Sequence, residues 1–101
     1  MAGYLEGKVV LVAGSGSEAH RGVAVGLAEA GADVAIGGIA ADLAAEAALH
    51  SISNEVWALG KRSTVVIYSD EPESFAVAVY EVQSELGRAD LIVRCDPVLN
   101  A

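Results

Sequence analysis

Short apolar runs alternate with longer helical patterns along this chain. The run Val9–Ala13 is continuous and rich in valine, which is typical of a strand covered on both faces. After a glycine turn, Val23, Leu27 and Ala30 recur at helical spacing until Gly31, which favours a left-handed stop. Strand, glycine turn and helix in this order predict the opening of a βαβ unit.

A long alanine-rich stretch predicts a second helix from about Ala40 to Leu59. Its larger apolar residues fall on one stripe, made of Leu49, Ile52, Val56 and Leu59. Gly60 is expected to end this helix, and the basic pair Lys61 and Arg62 would then lie at its negative end.

A third helix is predicted to open at Asp70 and Pro72, with Asp70 and Glu73 at the spacing of a capping box. Its buried face is predicted from the apolar residues before Gly87, namely Phe75, Val79, Val82 and Leu86. Three more strands are predicted between and after the helices, at Asp33–Ile36, Thr64–Tyr68 and Leu91–Cys95.

Strands that alternate with helices through short connections pair in parallel, with right-handed crossovers. The predicted fold class is therefore α/β: a Rossmann-like three-layer α/β/α arrangement with a four-stranded parallel sheet in the order 3-2-1-4. No linker, repeat or change of composition divides the chain, so residues 1–101 are expected to form a single domain. The fourth strand would be an apolar sheet edge, which favours pairing with a partner chain or a missing second half.

Charge and cysteine content narrow the class of protein. Six basic and fourteen acidic side chains give a net charge of -8, which argues against nucleic acid and membrane surfaces as partners. The single cysteine, Cys95, cannot form an internal disulfide, and the first residues show no signal-peptide pattern. No run approaches the roughly 18 apolar residues of a membrane span. We expect a soluble, cytoplasmic protein.

One motif with chemical meaning lies between the first strand and the first helix. A helix N-terminus offers free backbone N–H groups and a partial positive charge, and glycines let a pyrophosphate approach it. The pattern G-x-G-x-x-A occurs in this context and predicts a dinucleotide site made of Gly14, Ser15, Gly16, Ser17, Glu18 and Ala19. The alternative is that the glycines only serve a tight turn.

The chain also resembles a known family, the short-chain dehydrogenase/reductases. The similar segments are LEGKVVLV (5–12), LAEAGADV (27–34) and ELGRADLIV (85–93). The resemblance covers nearly the whole chain and implies the N-terminal Rossmann half of an NAD- or NADP-dependent oxidoreductase, a truncated NAD(P)-binding domain. The cofactor motifs are degenerate: the family turn T-G-x-x-x-G-x-G matches Ala13, Gly14, Glu18 and His20, so only its first glycine is kept.

Glu18 is the substitution with the largest expected electrostatic effect. A carboxylate about 5 Å from a pyrophosphate would oppose binding by on the order of 3 kcal/mol, an upper figure for an exposed turn. Alternatively, Glu18 lies against the helix N-terminus and occupies the anion site itself.

The resemblance implies further cofactor contacts at the ends of the other strands. An NAD site has an acidic residue after the second strand, and an NADP site has an arginine there. This chain has Gly37, Gly38 and Ile39 at those positions. The nearest acid, Asp42, is expected inside the second helix. Beside the adenine the matching residues are Ile67 and Tyr68, and Tyr68 could stack on the base. After the fourth strand, Arg94 could pair with a phosphate, with Asp96 or with a partner chain.

The family's proton transfer uses a Tyr-x-x-x-Lys pair and a Ser on elements after the fourth strand. Here Tyr80 is followed four residues later by Ser84, so no catalytic residue is predicted. His20 and His50 lack ligands at metal spacing, and no metal site is expected. Cys95 is interpreted as a small core residue.

Two functions follow from these observations. The first is an NAD(P)-binding Rossmann domain related to oxidoreductases that is not catalytic alone. The second is a non-catalytic assembly or regulatory partner that no longer binds a dinucleotide. Both imply a protein partner, which would be a second copy, a full-length relative or a complementing chain.

Overall fold

The alternating pattern folds into a parallel sheet with helices on both faces. The computed structural model describes residues 3–95. The elements are β1 (Val9–Ala13), α1 (Glu18–Glu29), β2 (Asp33–Gly38), α2 (Leu43–Ala58), β3 (Ser63–Ile67), α3 (Pro72–Leu86) and β4 (Leu91–Arg94). All strand pairs are parallel and the sheet order is β3-β2-β1-β4, which confirms the predicted fold class and strand order. In this part of the chain, no helix is long and apolar enough to cross a membrane.

The two faces of the central strand β1 organise two separate cores. Successive strand residues point to opposite faces, so Val10 and Val12 pack with α1 and α2 while Val9 and Leu11 pack with α3. All five residues of β1 are buried. The glycine turn therefore follows the most completely buried strand of the sheet.

The buried face of α1 consists of two alanines and a histidine. Its fully buried residues are His20, Ala24 and Ala28, whereas Val23 is exposed and Leu27 is only partly buried. Of the three residues that recur at helical spacing, Leu27 packs partly against the core, Ala30 is the C-cap and Val23 is 37% exposed. The helix they indicated is present, and it ends before Gly31.

Helix α2 is shorter than predicted at both ends. It begins after Asp42, whose carboxylate accepts the Ala45 amide N–H at 2.8 Å, so Asp42 is the N-cap and not an internal residue. Leu59 is the C-cap and is exposed, while Ser53 joins the buried stripe. The end of the helix at Gly60 is confirmed, with a positive φ of 85°.

The start of α3 also corrects a prediction. Its N-cap is Glu71, which makes no side-chain cap bond, and Pro72 takes the first helical position, so Asp70 does not cap the helix. Ser74 Oγ accepts the Ser69 amide N–H instead, at 2.8 Å. Phe75 and Val79 pack only partly against the core that holds Val82 and Leu86.

Lys61 and Arg62 follow the C-terminal end of α2, and their side chains bind acidic groups on other segments. Lys61 pairs with Glu6 at 3.1 Å. Arg62 donates to both carboxylate oxygens of Asp33, through its amide at 2.9 Å and through Nε at 3.0 Å, and its Nη2 donates to the Leu86 carbonyl at 3.1 Å. Arg62 therefore lies at the negative end of α3, where a cation is favoured.

Strand β4 is an exposed edge. Leu91 is 50% exposed and Ile92 is 46% exposed, although both belong to an apolar run. No helix within residues 3–95 packs closely on β4, since α1 contacts β1 and β2 while α3 contacts β1, β2 and β3. The predicted apolar edge is thus present. Cys95 continues it, because its backbone N–H donates a hydrogen bond to the Ala13 carbonyl at 2.8 Å.

Candidate functional site

The carboxyl ends of the parallel strands bring the predicted site residues to one edge of the sheet. The strand register pairs Ala13 with Gly37 and with Arg94, and Gly38 with Ile67. The glycine turn therefore follows β1 between the ends of β2 and β4. This is the edge where open α/β sheets bind their ligands.

The turn has a backbone that requires glycine at one position. Gly16 has a φ of +84°, and a Cβ there would lie 2.8 Å from Ala48 Cβ on α2. Ser17 then caps α1, its Oγ accepting the His20 amide N–H at 3.3 Å. Part of the glycine pattern thus serves the tight turn, as the alternative explanation requires.

Two peptide N–H groups at the start of α1 are unpaired within residues 3–95. They are the amides of Glu18 and Ala19. Both residues are exposed. Unpaired amides in the first turn of a 12-residue helix are the donors that an anion would use.

The buried His20 side chain links the glycine turn to β1 through two hydrogen bonds. This role was not predicted from the sequence. The His20 side chain is completely buried, with Nδ1 accepting the Gly16 amide N–H at 2.9 Å. Nε2 donates to the Val12 carbonyl, also at 2.9 Å. The ring lies directly against Gly14, where a Cβ would be 2.8 Å from the imidazole Cγ and Nδ1. The sequence feature that could have indicated this role is the histidine four residues after Gly16. The short-chain dehydrogenase/reductases have a glycine at the position of His20.

The Glu18 carboxylate does not occupy the anion site. It is 89% exposed and pairs with Arg21 Nη1 at 3.1 Å, one turn along the same helix face. Arg21 also binds Glu55 on α2 through Nε at 2.5 Å. These two carboxylates, Glu55 foremost, raise the pKa of the Arg21 guanidinium above its usual value. Glu18 therefore belongs to a surface ion-pair network that joins α1 to α2.

Close packing explains why no acid follows β2. A Cβ on Gly38 would lie 2.6 Å from the Gly14 carbonyl oxygen and 2.9 Å from Leu49 Cδ1. The turn and α2 thus fill the space that a side chain at position 38 would need. Ile39, which is 51% exposed, is the first residue after β2 whose side chain reaches solvent. Asp42 is engaged at the start of α2.

An aromatic and cationic stack lies at the α3 side of the same edge. Tyr68 meets the Phe75 ring edge to face, with centroids 4.9 Å apart. The Arg94 guanidinium lies over the Phe75 ring, 4.3 Å from its centroid. Within residues 3–95, Arg94 forms no ion pair, and Asp96 lies outside the described residues. Phe75, predicted only as core, is thus the residue that holds two candidate site residues together.

Comparison with known proteins agrees with this geometry. No protein-family model matches the chain. A curated relative, 2-dehydro-3-deoxy-D-gluconate 5-dehydrogenase of Pseudoalteromonas atlantica, is 40% identical over 91 residues, which are 88% of this chain and 34% of that protein. Similar solved structures include carveol dehydrogenase of Mycobacterium avium in complex with NAD, with 26% identity and a TM-score of 0.80 over 90% of this chain and 36% of that one. A short-chain type dehydrogenase/reductase of Mycobacterium marinum gives 26% identity and a TM-score of 0.75 over 87% and 34%.

The chain resembles the N-terminal Rossmann half of the short-chain dehydrogenase/reductases. It spans about a third of the length of the relatives that it matches. The Tyr-x-x-x-Lys pair that the family uses for proton transfer does not occur in its sequence. The donors and packed glycines at the sheet edge can therefore position an anionic ligand, but the chain supplies no pair of groups for the chemistry itself.

A second concavity lies away from this edge. A groove of about 350 Å³ runs between β3 and α3, lined among others by Thr64, Val66, Tyr80 and Ser84. None of the predicted site residues lines it. The groove is therefore separate from the candidate nucleotide site.

Proposed function

We propose that this chain is the dinucleotide-binding half of a short-chain dehydrogenase/reductase, and that it holds NAD or NADP at the carboxyl edge of its sheet. In this proposal residues 1–101 form one truncated NAD(P)-binding domain. A cytoplasmic location, and the exclusion of nucleic acid and membranes as partners, stay predictions from charge and composition.

The exposed amides of Glu18 and Ala19 carry the proposal. They are unpaired within residues 3–95 and stand at the start of α1, directly after a glycine turn and the buried strand β1. A pyrophosphate placed there would receive two N–H donors and the positive end of the helix dipole. Arg21 lies 3.1 Å from the carboxylate of Glu18 and reduces the repulsion expected from that side chain.

The remaining predicted contacts belong to the same proposal. Gly38 and Ile39 would face the ribose, and Ile67 and Tyr68 the adenine. Arg94 would act on the phosphates only if it leaves its contact with the Phe75 ring. These assignments follow the resemblance, supported by the shared sheet edge.

The proposal includes a protein partner that adds to β4. Leu91 and Ile92 are half exposed on a strand whose outer backbone edge is open within the described residues, and such an edge pairs readily with another strand. The relatives contain about twice as much further chain as this one. A complementing chain or full-length relative would supply the catalytic half, and a second copy would give a homo-oligomer without catalysis.

The direct test is a titration of the purified chain with NADH and NADPH. Nicotinamide emission is the suitable signal, because Trp57 lies near the end of α2, at the opposite edge of the sheet from the turn. Saturable binding in the micromolar range is expected. No binding at millimolar cofactor, by a chain shown to be folded, would overturn the proposal.

A matched pair of glycine variants locates the bound cofactor. Gly16→Ala and Gly60→Ala both place a side chain at a φ near +85°, but only the first lies in the turn. A Cβ at Gly60 meets no atom within 4 Å. Loss of cofactor affinity in Gly16→Ala alone supports the site, whereas equal losses in both variants contradict it.

A second function is favoured by one observation. The Gly16 amide, which would be a further phosphate donor, is already bound to His20 Nδ1 at 2.9 Å. A chain whose turn is filled in this way could serve as a non-catalytic assembly or regulatory partner of a full-length relative. In that case the chain would bind such a relative but neither NADH nor NADPH.

A further inference from the structure

The two hydrogen bonds of the buried His20 ring fix its protonation state. The Gly16 amide can only donate, so Nδ1 must be an unprotonated acceptor. The Val12 carbonyl can only accept, so Nε2 must carry the proton. The ring is therefore the neutral Nε2–H tautomer, since an imidazolium carries N–H groups at both nitrogens.

We propose that protonation of His20 opens the glycine turn, so that the turn is closed when the ring is neutral and open when it is charged. A proton on Nδ1 would face the Gly16 N–H across 2.9 Å, with two donors and no acceptor between them. The Gly16 amide would be released from the ring. This inference goes beyond the proposed function, because it rests on bonds within the chain and holds whether or not a dinucleotide binds.

Among the described residues, 3–95, no charged group is paired with the buried His20 ring. On its own helix, Glu18 and Arg21 bind each other at the surface. The charged groups on the elements packed around it are engaged elsewhere: Glu46 with His50, Glu55 with Arg21, Asp33 with Arg62, and Arg94 over Phe75. Cys95 packs against the same core.

An unpaired buried charge is costly, so the charged ring is expected to move toward solvent. The number of N–H donors that the turn presents would therefore depend on a single proton.

The test follows two NMR signals of the ¹⁵N-labelled full chain between pH 8 and pH 5. At pH 8 the His20 ring nitrogens should show the Nε2–H tautomer, and the Gly16 amide should be protected from exchange. On acidification, the Gly16 protection factor should fall at least about tenfold, with the midpoint of the His20 ring titration. His50→Gln is the control and should leave both curves unchanged, since His50 is exposed on α2.

A non-titrating variant completes the test. In His20→Gln the Gly16 amide shift should no longer follow pH between 8 and 5. Should that variant fail to fold, the wild-type curves decide alone. Three results would overturn the proposal: a Gly16 amide that stays protected while the His20 ring titrates, a ring that stays neutral down to pH 5, or a ring that titrates only as the whole chain unfolds.

Discussion

The Asp90 carboxylate accepts the Val9 amide N–H at 2.8 Å, and the Asp90 amide donates to the Val9 carbonyl at the same distance. This reciprocal pair fastens the start of β4 to the start of β1. The second carboxylate oxygen accepts from Arg88 Nε at 2.9 Å. The Val9 amide and, after it, Arg88 lower the pKa of the Asp90 carboxyl below its usual value.

This lowered pKa predicts a loss of stability in acid that Asp90→Asn should reduce. A carboxyl with a lower pKa in the folded state stabilises the fold above its unfolded-state pKa, near 4, and this contribution disappears as the pH falls through the folded value. Urea unfolding midpoints between pH 6 and pH 3 measure the effect. Asp42→Asn is a control at an exposed helix cap. Parallel acid limbs for wild type and Asp90→Asn would contradict the prediction.

Ile39 is expected to set the cofactor preference if the proposed site binds a dinucleotide. Position 38 has no room for a side chain, so position 39 is the first that can present a charge to the ribose. Ile39→Asp should favour NADH and Ile39→Arg NADPH, each changing the ratio of the two Kd values about tenfold. Leu59→Arg, at the far end of α2, should leave the ratio unchanged. Equal ratios in all three variants would remove Ile39 from the site.

Glu18→Gln should tighten NADH binding by less than about tenfold. Its carboxylate is exposed and paired with Arg21, so its repulsion of a phosphate is largely neutralised. The gain should shrink as salt is raised in the titration, and Glu29→Gln at the other end of α1 should show none. A hundredfold gain would mean that the carboxylate turns toward the bound phosphate.

Two buried hydroxyls predict a non-additive stability cycle. Ser53 Oγ on α2 and Ser63 Oγ on β3 lie 2.7 Å apart and are buried. Ser53→Ala and Ser63→Ala each leave one hydroxyl without its partner and should cost about 1–2 kcal/mol in the free energy of unfolding. The double variant removes both groups and should cost clearly less than the sum. Additive losses in urea denaturation would show that the bond does not couple the two elements.

The exposed face of β4 predicts where a partner chain binds. Ile92→Lys should abolish association with a complementing chain or a second copy, measured by sedimentation, and leave the monomer folded, because the side chain is already 46% exposed. Val77→Lys on α3 replaces an apolar residue that is 57% exposed and lies away from the edge, and it is the matched control. If the Ile92→Lys variant still associates and the Val77→Lys variant does not, the interface lies on α3 and the prediction is wrong.

Elements built from many residues followed from the sequence more reliably than single contacts did. The run Val9–Ala13 and the strand order were predicted, because a valine-rich run and right-handed crossovers leave few arrangements. The cap of α3 was not, because Asp70 and Glu71 are both acceptable before Pro72 and the local backbone decides between them.

In the candidate site, the overall position was predictable from the sequence, whereas the side-chain contacts were not. Its place at the carboxyl edge of the sheet, beside Gly14 and Gly38, follows from the parallel order. The direction of the Glu18 carboxylate depends on Arg21 and Glu55, and the latter lies on another helix. Spacing along the chain does not reveal such contacts, because they are set by how the helices pack.

The sequence by itself determined a parallel α/β sheet, a glycine turn after its central strand and an apolar edge at β4, because hydrophobic periodicity and turn chemistry act locally. Only the tertiary structure decided that His20 is buried and that Val23 is exposed. Polarity alone would favour an exposed histidine and a buried valine. A histidine can be buried when both of its nitrogens are bonded, and the fold brings the Val12 carbonyl and the Gly16 amide to them.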